Sequence, residues 1–246
     1  MSALIIAHYH SDGLLRTDTR RLLEFASNSF EQVFLVSTKL RQSELRKKPA
    51  MVTAIIRDNT GYDFWSYREG IVELTTQSFL GAVTLLNTSF LCLKPDVLIK
   101  ACLSHQAISF SGALLSYEKR PHLQSWALQF GKGIIHHKEI MQWWQNMTPL
   151  SDRHQVKHSY EFGISDLMTK LGFSLLPWLN SVKNLDFNVS RVNPSHHGWY
   201  ALWQELGAIK VELLKGNPYQ QDLSSLIKNA TYDNDLKALL IEAIGT

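Results

Sequence analysis

Four short apolar runs mark the first third of the chain: residues 3–8, 32–37, 51–56 and 82–86. Within them the apolar residues follow one another with little polar alternation. Each run has strand length, and the first leads into His10-Ser11-Asp12-Gly13, which is turn chemistry. Residues 14–27 and 64–75 instead repeat apolar positions at helical spacing. Strands that are apolar on both faces and separated by helices predict a mostly parallel sheet flanked by helices. Such sheets bind ligands beyond the carboxyl ends of their strands. That directs attention to residues 8–13, 57–63 and 87–89.

The second half is less regular. Residues 108–117 have strand character, and 138–147 predict a helix carrying Trp143 and Trp144. Residues 161–171 predict a helix closed by Gly172. Asn193-Pro194 supplies an N-cap and a proline at the first helical position, and that helix is expected to run to about Leu206 and close at Gly207. Two short helical patterns fill 222–244. The expected organisation is one α/β domain over 1–219 with a helical C-terminal tail, 220–246, packed on it.

Composition narrows the class. A chain of 246 residues that is 45% apolar can bury a real core. A net charge of +3 gives no reason to expect a nucleic-acid partner. The basic cluster at 41–48 fits a solvated helix face, or a contact with anionic lipid headgroups. Cys92 and Cys102 sit among apolar neighbours, as buried free thiols do, which fits a reducing compartment. Residues 1–8 lack the basic n-region of a signal peptide, and no window reaches the ~18 apolar residues of a membrane span. The expected location is the cytoplasm, with peripheral association at the inner face of the membrane.

Several segments could carry chemistry. Arg57-Asp58-Asn59-Thr60-Gly61-Tyr62-Asp63-Phe64 leaves a buried strand and enters a helix. Gly61 would let the backbone approach a ligand, the helix N-terminus favours an anion, and Arg57 could pair with a diphosphate. An ordinary strand-to-helix turn capped by Asp63 has the same pattern. Asn87-Thr88-Ser89 ends the fourth strand with neutral oxygens only, at a place where hard divalent cations prefer carboxylates. Glu161, expected to open a helix, suits either a general base or simple compensation of the helix dipole. His8-x-His10 could place two imidazoles on one strand face, but His196-His197 and His136-His137 are adjacent and face apart.

Taken in order, these segments are similar to the rhamnan synthesis protein F family of bacterial glycosyltransferases. The similarity spans about residues 3–219. It rests on Ala7-His8-Tyr9 with Asp12-Gly13, on 57–64, and on Leu86-Asn87-Thr88-Ser89. It continues through His122-Leu123-Gln124-Ser125-Trp126, Tyr160-Glu161 with Ser165 and Gly172, Asn193-Pro194, His197 and Trp199, Lys210 to Leu214, and Asn217-Pro218.

The resemblance implies a GT-A-like (Rossmann-like) fold. It also implies an inverting transferase that moves rhamnose, or a related deoxysugar, from a nucleotide-diphosphate donor such as dTDP-rhamnose. The acceptor would be a glycan or lipid-linked glycan of a surface polysaccharide such as O-antigen or rhamnan. By the same resemblance His8, Tyr9, Asp12, Arg57, Asn59, Gly61, Asp63, Asn87 and Ser89 form the donor side. His122, Gln124, His197, Trp199 and Lys210 form the acceptor or leaving-group side, and Glu161 is the catalytic base. The family has Asn-Asp-Ser where this chain has Asn87-Thr88-Ser89. No residue is therefore assigned to a metal, and Mg²⁺ or Mn²⁺ would be held mainly through the donor diphosphate. That departure keeps a second reading open, a catalytically degenerate transferase-like partner that binds nucleotide or glycan in a synthesis complex. A third, lesser reading is a metal-dependent hydrolase built on His8 and His10.

Overall fold

The computed structural model describes residues 1–179 and 192–245. Residues 180–191, within the span expected for the main domain, and residue 246, at the end of the expected tail, lie outside the described residues.

The four apolar runs are the parallel strands β1 (Ser2–His8), β2 (Gln32–Ser37), β3 (Val52–Ile56) and β4 (Ala82–Asn87). Helix α1 (Thr17–Ser27) joins the first two, the short α2 (Gln42–Leu45) precedes β3, and α3 (Tyr62–Thr76) joins β3 to β4. Then come β5 (Phe90–Cys92), α4 (Pro95–Ser104), β6 (Phe110–Gly112), β7 (Leu115–Ser116), β8 (His122–Leu123) and β9 (Ala127–Phe130). Helix α5 (Lys138–Gln145) and α6 (Arg153–Val156) lead through one π-helical turn, Lys157–Glu161, into α7 (Phe162–Lys170). The chain ends with β10 (Leu176–Pro177), α8 (Pro194–His197), α9 (Trp199–Leu206), β11 (Ala208–Lys210), α10 (Val211–Lys215), α11 (Ser224–Tyr232) and α12 (Asn234–Gly245).

Seven strands form one sheet in the order β10-β6-β9-β4-β1-β2-β3, and only β9 runs antiparallel to its neighbours. This is the mostly parallel, helix-flanked α/β fold expected from the sequence. The runs of β1, β2 and β4 lack polar alternation because both of their faces are covered, whereas β3, at the sheet edge, is only partly buried. Leu4 and Ile6 of β1 and Leu35 of β2 pack on one side against α1, α4 and α9. Ala3, Ile5, Ala7, Phe34 and Val36 pack on the other against α3, α5 and α7. Helix α3 lies tight on β1: a Cβ on Gly70 would come within 2.7 Å of Ile5 Cγ2.

A third cluster joins α11 and α12, through Leu226, Ala230, Leu240 and Ala243, to Trp199, Trp203, Ile209 and Leu213. The Glu242 carboxylate accepts from the Thr17 N–H at 3.0 and 3.1 Å. A residue 225 positions away thus answers the first turn of α1, whose own N-cap, Arg16, makes no capping bond. The Arg16 guanidinium is committed elsewhere, to buried Asp18 at 2.9 and 3.1 Å and to the Phe90 carbonyl at 2.9 Å. Asp18 also accepts from Cys92 N–H, so this buried pair ties α1 to β5 beneath the strand ends. Among the described residues, no helix is long and apolar enough to cross a membrane.

Several boundaries differ from expectation. The helix expected from 193 to 206 breaks at Gly198 into α8 and α9. The strand expected at 108–117 is two pieces, β6 and β7, in different sheets. The helix expected to begin at Glu161 is continuous with the preceding turns back to Arg153.

Candidate functional site

In the sheet order, β2 and β3 lie on one side of β1 and β4 on the other. The connections diverge between β1 and β4, which opens a crevice beyond their carboxyl ends. Backbone and side chain stitch the two ends together there. Thr88 N–H donates to the Ala7 carbonyl, and Tyr9 N–H donates to Thr88 Oγ1 at 3.1 Å.

Two cavities open at this crevice. The first, about 570 Å³, is lined by His8 and Tyr9 after β1, by the loop 57–63 after β3, and by Thr88 and Ser89 after β4. The second, about 490 Å³, is lined by Asn87, Ser89, Gln124, Ser125, Arg153, Glu161, Asn193, Lys210 and others. They meet at Tyr62, Asp63 and Ser89, which line both.

The loop entering α3 is held by Arg57. Its Nε donates to Ser66 Oγ at 2.9 Å and its Nη2 to the same oxygen at 2.7 Å. Nη1 donates to the Asp58 and Thr60 carbonyls, and Nη2 also to that of Tyr62. All five N–H donors are thereby engaged, so Arg57 brings its charge and the shape of the loop to a ligand but no free hydrogen bond. Gly61 (φ 69°) and Tyr62 (φ 53°) both take the left-handed conformation. Gly61 does so without penalty, whereas Tyr62 stores strain of ~1–2 kcal/mol. The helix begins at Tyr62, so Asp63 lies in its first turn and is not the N-cap.

Half-buried Asp63 is gripped from one side. Asn87 Nδ2 donates to its Oδ2 at 2.7 Å, and Oδ1 makes no hydrogen bond among the described residues. Burial raises its carboxyl to about 6, against the charges of Arg57 and Arg153 and with a contribution from Glu161. Asn87 Oδ1 in turn accepts from Ser89 N–H at 3.0 Å and from Ser89 Oγ. Asn87 also lies beside the Tyr67 hydroxyl, which donates to the Ser125 carbonyl at 2.9 Å.

That chain of contacts ends at Glu161. Its Oε2 accepts from Ser125 N–H at 2.8 Å and from Ser125 Oγ. Its Oε1 faces His122 Nε2 at 3.5 Å. Burial pushes the Glu161 carboxyl up, but His122 and the two Ser125 bonds more than reverse this and hold it at about 2. Because the helical run starts eight residues earlier, Glu161 has no free helix N-terminus to compensate, and the dipole explanation drops out. The π-turn places it instead, a device frequent at functional sites.

The remaining sequence candidates divide. Gln124 and Lys210 line the second cavity; Gln124 Nε2 donates to Asn193 Oδ1 at 3.0 Å, and Lys210 lies 3.4 Å from Glu212. His8, Tyr9, Asn59 and Gly61 line the first cavity, while Asp12 sits on the outer turn and lines neither. His122 is fully buried behind Glu161 and does not face the cavity. Trp199 is a core residue stacked on Trp203. His197 points outward against Tyr219, and its neighbour His196 lines the cavity, lowered to about 4 by burial and Lys210. His10 follows the end of β1, so strand alternation no longer aims it; its Nδ1 accepts from Asp12 N–H. Sequence reasoning missed Arg153, an exposed guanidinium on the second cavity's wall with no hydrogen-bond or ion-pair partner among the described residues. Only its place in a polar stretch before a helix could have signalled it.

Comparison with known proteins agrees with the resemblance read from the residues. The family model described as rhamnan synthesis protein F matches residues 33–240, and the chain belongs to that family. It is 25% identical over 182 residues to an uncharacterized protein of Sinorhizobium fredii, covering 71% of this chain and 47% of that one. The chain thus spans about half the length of the curated relative it matches. Among solved structures it is similar to a mannosyltransferase of Pyrobaculum calidifontis in complex with GDP-Man and Mn²⁺, with 11% identity, 98% and 85% of the two chains covered, and a TM-score of 0.43. It is also similar to 4-diphosphocytidyl-2C-methyl-D-erythritol synthase of Anaerococcus prevotii, with 13% identity, 72% and 85% covered, and a TM-score of 0.43. Likenesses at that level carry no argument about donor, metal or reaction.

Proposed function

From membership of the rhamnan synthesis protein F family, we propose that the chain transfers a sugar from a nucleoside-diphosphate donor, rhamnose from dTDP-rhamnose, to a glycan or lipid-linked glycan of a bacterial surface polysaccharide. The observation that carries this reading is the pair of cavities meeting at Asp63 and Ser89 beyond the strand ends. A transferase needs room for two substrates and a shared boundary where the bond is exchanged. The first cavity, with the ordered 57–62 loop, suits the nucleotide. The second suits the acceptor, with Arg153 and Lys210 in its lining as cations for the diphosphate that leaves.

The donor set bears on the metal. Asn87 and Ser89 bond one another, and among the described residues no three His, Cys, Asp or Glu side chains are grouped to hold an ion. Mg²⁺ or Mn²⁺ would then bind mainly through the donor diphosphate and neutralise part of its charge. Membrane association would be peripheral, through exposed Arg41 and Arg46 beside α2.

Thermal unfolding of the protein against a panel of nucleoside diphosphates and their sugars, with and without Mn²⁺, tests the reading. At a hundred times Kd, the cognate ligand adds about 2.7 kcal/mol. A flat response to every nucleotide at millimolar concentration removes the donor site. Binding without turnover supports the second reading, a silent binding partner, which the neutral Asn87-Thr88-Ser89 triplet favours.

A further inference from the structure

We propose that Asp63 takes the proton from the acceptor hydroxyl, and that Glu161 with His122 is a positioning pair that holds the Ser125 corner of the cleft. This rests on the transferase reading and assigns its base to a different carboxylate from the one the family resemblance implies.

Place comes first. A sugar carried on a diphosphate in the first cavity can meet an acceptor in the second only at their boundary. Asp63 lines both cavities, whereas Glu161 lines the second alone. Free valence comes next. A general base needs a lone pair directed at the substrate. Glu161 has committed Oε2 to two donors of Ser125, and Oε1 faces His122. Asp63 has committed only Oδ2, to Asn87.

The His122 geometry completes the argument. His122 Nδ1 lies 2.8 Å from the Arg120 carbonyl, which only accepts, so Nδ1 carries a proton. Its Nε2 lies 3.5 Å from Glu161 Oε1, with no hydrogen-bond partner among the described residues, so the buried imidazole backs that oxygen and leaves it turned away from the boundary between the cavities. The same environment makes Glu161 a weak base, held at about 2, while Asp63 stands at about 6, closer to working pH. The charged groups facing Asp63 are Arg57 and Arg153, which favour its ionised form, and Glu161, which opposes it.

In the step itself the acceptor oxygen forms a bond to the anomeric carbon. Its proton passes to Asp63 Oδ1. The bond from that carbon to the diphosphate oxygen breaks, and the electron pair leaves with the nucleoside diphosphate. Asn87 fixes Asp63 from β4, and Tyr67 and Ser125 continue from there to Glu161, so the positioning pair steadies the base from across the cleft.

The test uses the whole chain, dTDP-rhamnose as donor and an octyl rhamnoside as acceptor, with dTDP binding measured separately. Asp63→Asn keeps an oxygen that can accept from Asn87 but cannot take a proton. It is expected to lower kcat by roughly 10²–10⁴ with dTDP Kd within about threefold. Glu161→Gln is expected to lower kcat less than about tenfold, to raise the acceptor KM, and to keep an acid limb near pH 6 in the kcat profile. Near-normal kcat in Asp63→Asn overturns the proposal. So does a matching loss of dTDP affinity, which would make Asp63 a binding group. Loss of turnover in a folded, dTDP-binding Glu161→Gln returns the role to Glu161. Wild-type protein that binds dTDP without turnover overturns the base assignment alone, while wild-type protein that binds no nucleotide overturns the transferase reading with it.

Discussion

On one wall of the cleft, the turn entering α3, the strong cation is internally satisfied and the carboxylate is not. Arg57 has five donors on loop oxygens and Ser66, while one Asp63 oxygen makes no hydrogen bond among the described residues. On the opposite wall, from Arg153 to Glu161, the relation is reversed. Glu161 has Oε2 held by Ser125 and Oε1 backed by His122, and Arg153 has no hydrogen-bond or ion-pair partner among the described residues. Each wall therefore offers the cleft one unsatisfied group, of opposite charge. A reaction that takes up a proton at one point and releases an anion at another needs this division. The satisfied partner in each wall keeps the backbone in place.

The largest effects expected separate the carboxylates by sign. Glu161 has a folded value near 2 against 4.5 unfolded, so its ionisation stabilises the fold above pH 4.5, and this is lost as pH falls toward 2. Asp63 has a folded value near 6 against 3.8 unfolded, so its ionisation opposes the fold increasingly from pH 3.8 to 6 and fully above it. In urea unfolding at pH 7.5, Glu161→Gln is expected to destabilise and Asp63→Asn to stabilise, each on the order of 2 kcal/mol. At pH 3.5 both differences shrink. Destabilisation by Asp63→Asn at neutral pH would break the contrast.

The cations sharpen the same contrast at smaller size. Arg153→Ala is expected to weaken dTDP binding by about 10–100-fold, the size of one or two lost charge-assisted bonds, with the melting temperature nearly unchanged. Arg57→Ala is expected to lower both, because it strips partners from the loop carbonyls. Calorimetric titration and thermal unfolding of the two variants decide it. Equal behaviour would mean that Arg153 has a structural partner or that Arg57 reaches the ligand. The smallest effect is expected at Asp152, whose side chain caps α6 by accepting from Gln155 N–H at 2.7 Å. Asp152→Ala should cost ~1 kcal/mol and raise the dTDP Kd less than about tenfold by loosening the turn that carries Arg153.

Strands β1 to β4 and helix α3 were legible to within two residues at each end, because unbroken apolar runs and helical spacing leave a local trace. Strand β9 and helix α4 were not. The four residues of β9, Ala127–Phe130, are too short for any period, and their antiparallel sense depends on β4 and β6 beside them. The site divides the same way. The loops at the strand ends, to which topology directs attention, do line the two cavities. His197 was preferred to His196 and Trp199 was placed in the cleft, although adjacent positions turn about 100° on a helix and only packing decides which faces inward.

The sequence by itself determined the layered α/β class, the family and the crevice to inspect, since each depends on local patterns or on an ordered set of motifs. The tertiary structure alone decided which carboxylate is free. Asp63 meets Asn87 across 24 positions, Ser125 meets Glu161 across 36, and Arg153 acts on Asp63 from another element altogether. A side chain's chemistry is set by the donors and charges within a few ångströms of it. Those neighbours come from distant parts of the chain, and only the fold brings them together.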